Sequence, residues 1–168
     1  MKADNSPDLL YHEIVKLTGW VWGLIAGVLI VLLGTVGGVI AAGLSRDDWI
    51  GLIIAAAIIL GVGFVAWNYR AIEIRVTREM FEARYGLFNR TAMPLSEIEA
   101  CQPSLARFGR YLGIGVRLGT DGSWAYTTSF GPAVELRRRS RRPFLISSNR
   151  PQELCRTIRE ASKKPALG

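Results

Sequence analysis

Residues 17–45, LTGWVWGLIAGVLIVLLGTVGGVIAAGLS, and residues 49–69, WIGLIIAAAIILGVGFVAWNY, decide the architecture: neither carries a charged side chain over its 29 or 21 positions. A bilayer core about 30 Å thick is crossed by roughly 20 apolar residues of helix, and both stretches are long enough. Only Arg46, Asp47 and Asp48 lie between them, which suffices for a tight turn. The pattern predicts a membrane α-helical hairpin over residues 17–69. Trp20 and Trp22 at the entry of the first helix, Trp49 at the start of the second, and Trp67 and Tyr69 at its end fall where amphipathic rings favour the headgroup level. The first stretch is longer than the 7–15-residue apolar run of a cleaved leader and its preceding flank is net acidic, so it is expected to be retained. Neither stretch holds an ionisable group, which argues against a proton path, channel or transporter. Gly19, Gly23, Gly27, Gly34 and Gly38 form a stripe of small residues suited to close helix approach. The stripe serves either packing on the second helix, where Ala57 and Gly61 offer a shorter match, or a homodimer.

Residues 1–16 read as a lead-in. Ser6-Pro7-Asp8 has the chemistry of a helix start, with a cap, a proline in the first turn and an acid near the positive dipole end. Leu9, Leu10, Ile14 and Leu17 then supply a short apolar helical face, either of a lead-in helix on the inner leaflet or of an extension of the first span. Charge divides sharply at residue 70. Residues 1–69 contain three of the 21 basic side chains and five of the 14 acids, whereas residues 70–168 hold the other 18 basic residues against nine acids. The formal net charge of +7 therefore belongs to the C-terminal part, and it suits an anionic neighbour. Arg70, Arg75, Arg78 and Arg84 follow the second helix while the connection between helices carries a single arginine, so both termini are expected on the cytosolic side. In that compartment Cys101 and Cys155 are expected as reduced thiols packed in the core, without a disulfide.

After residue 70 the pattern turns to alternation. Ile72, Ile74 and Val76 oppose Glu73 and Arg75, and Phe81, Ala83 and Tyr85 oppose Glu82 and Arg84. Further strands are predicted over residues 91–103, 113–118, 124–129, 133–138 and 144–147. The separators are turn residues such as Gly86 to Asn89, Thr120-Asp121-Gly122 and Gly131-Pro132. The expectation is about seven antiparallel strands. A C-terminal helix then starts near Pro151, with Leu154 and Ile158 on its apolar face. It is too short to stand alone and needs a sheet to bury against.

Several segments resemble the pleckstrin-homology-like domain of bacterial membrane proteins: Met80 to Gly86, Met93 to Ile98, Tyr111 to Arg117, Ala133 to Leu136, Phe144 to Ser148 and Arg150 to Leu154. The resemblance covers residues 70–162, leaving a tail at 163–168, and implies a mainly-β PH-like domain without catalytic activity. It also implies that the loop between strands six and seven shares an end with the loop between strands one and two. The arginine run described next would then lie one strand length from the membrane. The loop Thr77-Arg78-Glu79 lacks the basic cluster of phosphoinositide-binding members, so that activity is not carried over.

Candidate chemistry is sparse. His12, the only histidine, precedes the membrane, and the two cysteines lack metal-ligand spacing. No catalytic residue, metal or cofactor is therefore expected. Gly113-Ile114-Gly115-Val116-Arg117-Leu118-Gly119 fails as a dinucleotide fingerprint, because a strand rather than a helix follows and the spacing is wrong. The strongest local signal is Arg137, Arg138, Arg139, Arg141 and Arg142, broken only by Ser140. Guanidinium forks suit anions, and a charged hairpin tip also protects a sheet edge from aggregation. Arg70 and Arg75 are the membrane-proximal basic residues. Nucleic acid is disfavoured because the run lacks interleaved aromatics. The expected protein sits in the bacterial inner membrane, faces the cytosol and recruits a protein partner. The alternatives are recognition of anionic phospholipid headgroups, with Arg70, Arg75 and the arginine run as contacts, and a self-associating membrane subunit.

Overall fold

The computed structural model describes residues 8–43, 48–111, 113–139 and 141–163. The turn residues Arg46 and Asp47, the Ser6-Pro7 helix start, Leu112, Ser140 and the tail beyond Lys163 lie outside the described residues. The chain divides into two compact units, one of Leu17–Arg70 and one formed by the residues up to Lys16 together with Ala71 onward.

The first unit holds two helices, α1 (Gly19–Ala41) and α2 (Asp48–Asn68). Both have a mean hydropathy of 2.6 and enough length to cross a bilayer. No residue of α1 is buried, and large apolar side chains such as Ile30 and Leu60 stand out over most of their surface. Helices that are apolar on every side and yet uncovered are suited to lipid, not water. The glycine stripe does not lie against α2: a Cβ built at Gly19, Gly23, Gly27, Gly34 or Gly38 would meet nothing within 4 Å among the described residues.

The second unit is a two-sheet β-sandwich with a C-terminal helix. Sheet A is antiparallel, in the order β1 (Leu9–Lys16), β2 (Ala71–Thr77), β3 (Met80–Tyr85), β4 (Asn89–Pro94). The lead-in helix expected before the apolar stretches is thus corrected to a strand. Tyr11, Glu13 and Val15 point into the core while Leu10, His12 and Ile14 face outward, so the side chains follow a period of two. The apparent helical spacing of Leu10, Ile14 and Leu17 is incidental, since Ile14 lies on the outer face. β1 pairs with β2 from Leu9↔Thr77 to Lys16↔Ala71, and the N–H of Leu17 donates to the carbonyl of Arg70 at 2.8 Å. The α1–α2 segment is therefore inserted where a β-hairpin would have its turn.

A single 3-10 turn at Leu95–Glu97 leads from sheet A to sheet B. Sheet B comprises β5 (Ile98–Leu105), β6 (Gly115–Leu118), β7 (Trp124–Thr127), β8 (Pro132–Arg138) and β9 (Arg141–Ser147), in the order β5-β8-β9-β7-β6. The β7–β9 pair is parallel and the other pairs are antiparallel. The expected seven strands become nine because residues 9–16 form a strand instead of a helix and because the 3-10 turn splits the extended stretch at 91–103. A short helix, α3 (Phe108–Tyr111), bridges β5 and β6.

The core joins the two sheets through aromatic rings. Phe144 meets Tyr126 edge-on at 5.0 Å and Phe81 at 6.5 Å, and Tyr126 reaches Tyr85 at 6.0 Å. Helix α4 (Pro151–Lys163) buries Leu154, Cys155, Ile158 and Ala161 against β5 and β8. There Cys101 of β5 and Cys155 are joined by a disulfide, their Cα atoms 5.3 Å apart. This corrects the expectation of two reduced thiols. That expectation rested on compartment alone, whereas Cys101 and Cys155 both face inward on touching elements. Close backbone approach dictates one residue of the β6–β7 turn: a Cβ on Gly119 would come within 3.0 Å of Asp121, Ser123 and Tyr111. That space is occupied by a hydrogen-bonded chain in which Ser123 Oγ donates to Asp121 at 2.6 Å and lies 2.9 Å from the Tyr111 hydroxyl.

Candidate partner-binding surface

The arginine run lies on the paired ends of β8 and β9 rather than in a loop. Arg138 stands opposite Arg141, leaving only two residues for the turn. Register shifts between Leu136 and Arg138, and between Ile98 and Ala100 on the neighbouring β5, mark bulges on both sides of this corner. A bulge strengthens the local twist and re-aims side chains, and here exposed Arg137 is followed by half-buried Arg138.

Each arginine has a distinct role. Arg137 lies 3.6 Å from Glu135, and Arg139 pairs with Glu99 at 3.3 Å while its N–H donates to the carbonyl of Glu97. Arg138 turns back on the hairpin, its Nε and Nη2 both donating to the carbonyl of Arg142 at 2.9 and 2.6 Å. Burial lowers the Arg138 pKa, the charge of Arg141 adds to the effect, and Glu97 opposes it. Arg141 and Arg142 are exposed and make no ion pair among the described residues. The five guanidiniums therefore share their surroundings with Glu97, Glu99 and Glu135, and the free positive charge concentrates at Arg141 and Arg142.

The position of this tip follows from the ladder. One end of sheet A contains Lys16, Ala71 and the turn after Tyr85; the other contains the turn from Thr77 to Met80 and the end of β4 at Pro94. Arg139 bonds to Glu97 in the β4–β5 corner, and Leu95 in that corner bonds to Glu79. The arginines thus adjoin the end of sheet A remote from Lys16 and Ala71. The seven residues of β2, six steps along the strand, separate the two ends by about 20 Å.

The other basic candidates are engaged. Arg75 donates from Nε and Nη2 to Glu73 at 2.9 and 2.8 Å, on the outer face of sheet A, where His12 also lies 3.0 Å from the same carboxylate. Burial tends to raise the Glu73 pKa, but the bonds and charges of Arg75 and His12 outweigh it and hold the carboxyl below its ordinary range. Arg70 lies over the Trp67 ring at 5.8 Å. Arg78, the one arginine in the loop after β2, sits 3.6 Å from Asp8. A groove of about 330 Å³ beside the disulfide is lined by Arg156, Arg159, Lys163 and Glu160. Arg159 is committed there to the carbonyl of Cys101 at 2.8 Å.

Sequence reasoning missed Glu13. It is 5 % exposed and accepts three hydrogen bonds: from the Tyr11 hydroxyl (2.8 Å), the Ser148 hydroxyl (2.7 Å) and the N–H of Asn149 (2.7 Å). Burial and the adjacent carboxylate raise the Tyr11 pKa. A charged residue at a core position of an alternating segment was the available signal. Among the described residues no cluster of three or more His, Cys, Asp or Glu side chains could hold a metal ion.

No curated protein and no solved structure matches this chain. Among known protein families, the one described as Bacterial PH domain matches residues 17–161, taking in both apolar helices and stopping short of β1. PH domains are typically non-enzymatic binding modules, and no catalytic family is indicated. With most of its length matched and a two-sheet sandwich that ends in a helix, the chain belongs to the bacterial PH domain family.

Proposed function

We propose that this chain is a membrane-tethered, non-enzymatic binding module of the bacterial inner membrane. In this reading α1 and α2 cross the bilayer as a hairpin, the PH domain faces the cytosol, and the β8–β9 tip recruits an acidic protein partner. The placement of the arginines carries the reading. Arg141 and Arg142 are exposed on the tip, about 20 Å along the sheet from the strand ends that continue into α1 and α2. That span exceeds the screening length of about 8 Å, so with the tether end toward the membrane the tip meets cytosolic partners rather than headgroups.

Two observations pull in opposite directions on orientation. The arginines that follow α2 favour a cytosolic domain. The Cys101–Cys155 bond favours an oxidising compartment. The arginine asymmetry is the weightier, because it acts on membrane insertion itself, whereas two sulfurs brought together by the fold can be reduced in place.

Cross-linking and capture of the full-length protein in native membranes tests the proposal. Replacing Arg141 and Arg142 by Glu should abolish capture of an acidic partner while leaving protein level and membrane residence unchanged. An unaltered set of captured proteins would reject the arginine tip as the recruiting surface. The open glycine stripe of α1 supports a second reading, self-association in the membrane, in which a second copy meets Gly19 to Gly38.

A further inference from the structure

The groove between β5 and α4 opens onto Cys155, one half of the Cys101–Cys155 bond. Its volume is about 330 Å³, and Cys155, itself only 2 % exposed, forms part of its wall together with Pro103 of β5. Arg156, Arg159 and Lys163 of α4 line the same space, against Glu160 as the one carboxylate of the lining. At 1.5 Å of rise per residue the three cations follow one another along the helix at intervals of about 4.5 and 6 Å.

Like charges three and four positions apart on a helix repel. Glu160 is placed to offset this, yet Arg156 and Lys163 are exposed and make no ion pair among the described residues. Arg159 is held differently. Its Nη2 donates to the Cys101 carbonyl at 2.8 Å, which keeps a positive charge beside the second cysteine of the bond. Packing of Leu154 and Ile158 beneath α4 and the disulfide itself fix the backbone that carries all three cations. A preset excess of positive charge around a sulfur–sulfur bond suits one reaction above others. Thiol–disulfide exchange brings in a thiolate and releases another, so negative charge enters and leaves at this place.

We infer that the α4–β5 groove docks small thiols that carry carboxylates, and that these open the Cys101–Cys155 bond from the Cys155 side. The carboxylates lie on Arg156 and Lys163. The incoming thiolate bonds to Cys155 Sγ as the bond to Cys101 breaks, and the electron pair departs on Cys101 Sγ, next to Arg159. A second thiolate attacks the sulfur of the first, which forms the small-molecule disulfide and releases Cys155. The two protons given up by the thiols end on Cys101 and Cys155, so one protein disulfide is reduced and two thiols are oxidised. The bond is then exchangeable rather than permanent, and an oxidised pair becomes compatible with a cytosolic domain.

The test reduces the full-length, oxidised protein in neutral detergent micelles with anionic glutathione, neutral 2-mercaptoethanol or cationic cysteamine. Free thiols are alkylated at intervals and counted by mass spectrometry. Each rate is divided by that of the same thiol on 2-hydroxyethyl disulfide, which removes the thiol's own reactivity. The expected order is glutathione, then 2-mercaptoethanol, then cysteamine, spanning about tenfold at low salt and shrinking at about 0.5 M salt. Arg156→Glu with Lys163→Glu should reverse the order, and Arg156→Gln with Lys163→Gln should flatten it. Arg159 stays in place because it holds the Cys101 carbonyl, and near-ultraviolet circular dichroism checks that both variants keep the native fold. Equal normalised rates for the three thiols, as for a bond reached only when α4 undocks, would overturn the inference. So would an order that the Gln variant leaves unchanged.

Discussion

Replacing Glu13 perturbs the point at which the segment before the apolar helices is locked to the end of the domain that follows them. The Glu13 carboxylate accepts from Tyr11, Ser148 and the Asn149 N–H, so all three of its partners are donors. Ser148 Oγ in turn accepts the N–H of Arg150 in the turn that begins α4. Glu13→Gln keeps the shape but, with its oxygen held by the Asn149 N–H, puts an NH2 group against the Tyr11 and Ser148 hydroxyls, which must then accept and turn their own protons away. One buried group then loses its partner, which costs about 1–3 kcal/mol. Glu13→Ala leaves three donors without acceptors and a void, about 3–5 kcal/mol after local relaxation and water entry. For a domain of this size 1 kcal/mol moves the melting temperature by about 4–8 °C, so the alanine variant should melt at least about 12 °C lower. The assay is thermal unfolding of the full-length protein in detergent micelles, followed by near-ultraviolet circular dichroism. Glu13→Gln should fall between the native and alanine proteins. A Glu13→Ala protein that melts within about 2 °C of the native one, under 0.5 kcal/mol, would refute the docking of β1 in sheet A.

Four further outcomes are expected. Because Lys16 pairs with Ala71, a chain in which residues 17–70 are replaced by Asn-Gly should fold as a soluble domain; residues 71–168 alone, lacking β1, should show poor solubility and broad amide resonances. Reducing the Cys101–Cys155 bond, which spans 54 residues, should lower stability by about 4 kcal/mol in the loop-entropy view, read as a drop in urea midpoint with dithiothreitol; an unchanged midpoint would show that the bond carries no stability. The depressed Glu73 carboxyl contributes stability that is complete above its ordinary pKa of 4.5 and is lost as pH falls through the lower folded value. Glu73→Gln should therefore flatten the decline in urea midpoint between pH 5 and pH 3. If a second copy docks on the glycine stripe, Gly23→Leu with Gly27→Leu should reduce the oligomer size measured by light scattering in micelles, and an unchanged size would exclude that face.

The two apolar helices were legible because composition alone specifies them: each is an uncharged run long enough to cross a bilayer as a helix. β2, β3 and the strands of sheet B were legible from alternation and turn residues. β1 was not, for two reasons. Its core face carries Glu13, which breaks the apolar alternation that marks a strand, and 54 residues intervene before its partner begins at Ala71, so no short turn announces a hairpin. The split between β4 and β5 was hidden because Leu95, in the 3-10 turn, is as buried as a strand residue. The arginine run was visible, but the partners that neutralise part of it were not. Glu99 approaches Arg139, and the charge of Glu97 acts on Arg138, across the sheet from 40 and 41 residues away. The disulfide likewise depends on where α4 docks, which spacing does not encode.

Recruitment of a cytosolic partner by the β8–β9 tip depends most on which side of the membrane the domain occupies. The direct measurement is protease digestion of intact spheroplasts that carry the full-length protein with a C-terminal epitope. A cytosolic domain predicts that the epitope-bearing fragment survives in intact spheroplasts and is lost only when they are lysed. Loss of the epitope while the membrane is intact would place the domain outside, in keeping with the Cys101–Cys155 bond, and would contradict recruitment of a cytosolic partner by the β8–β9 tip.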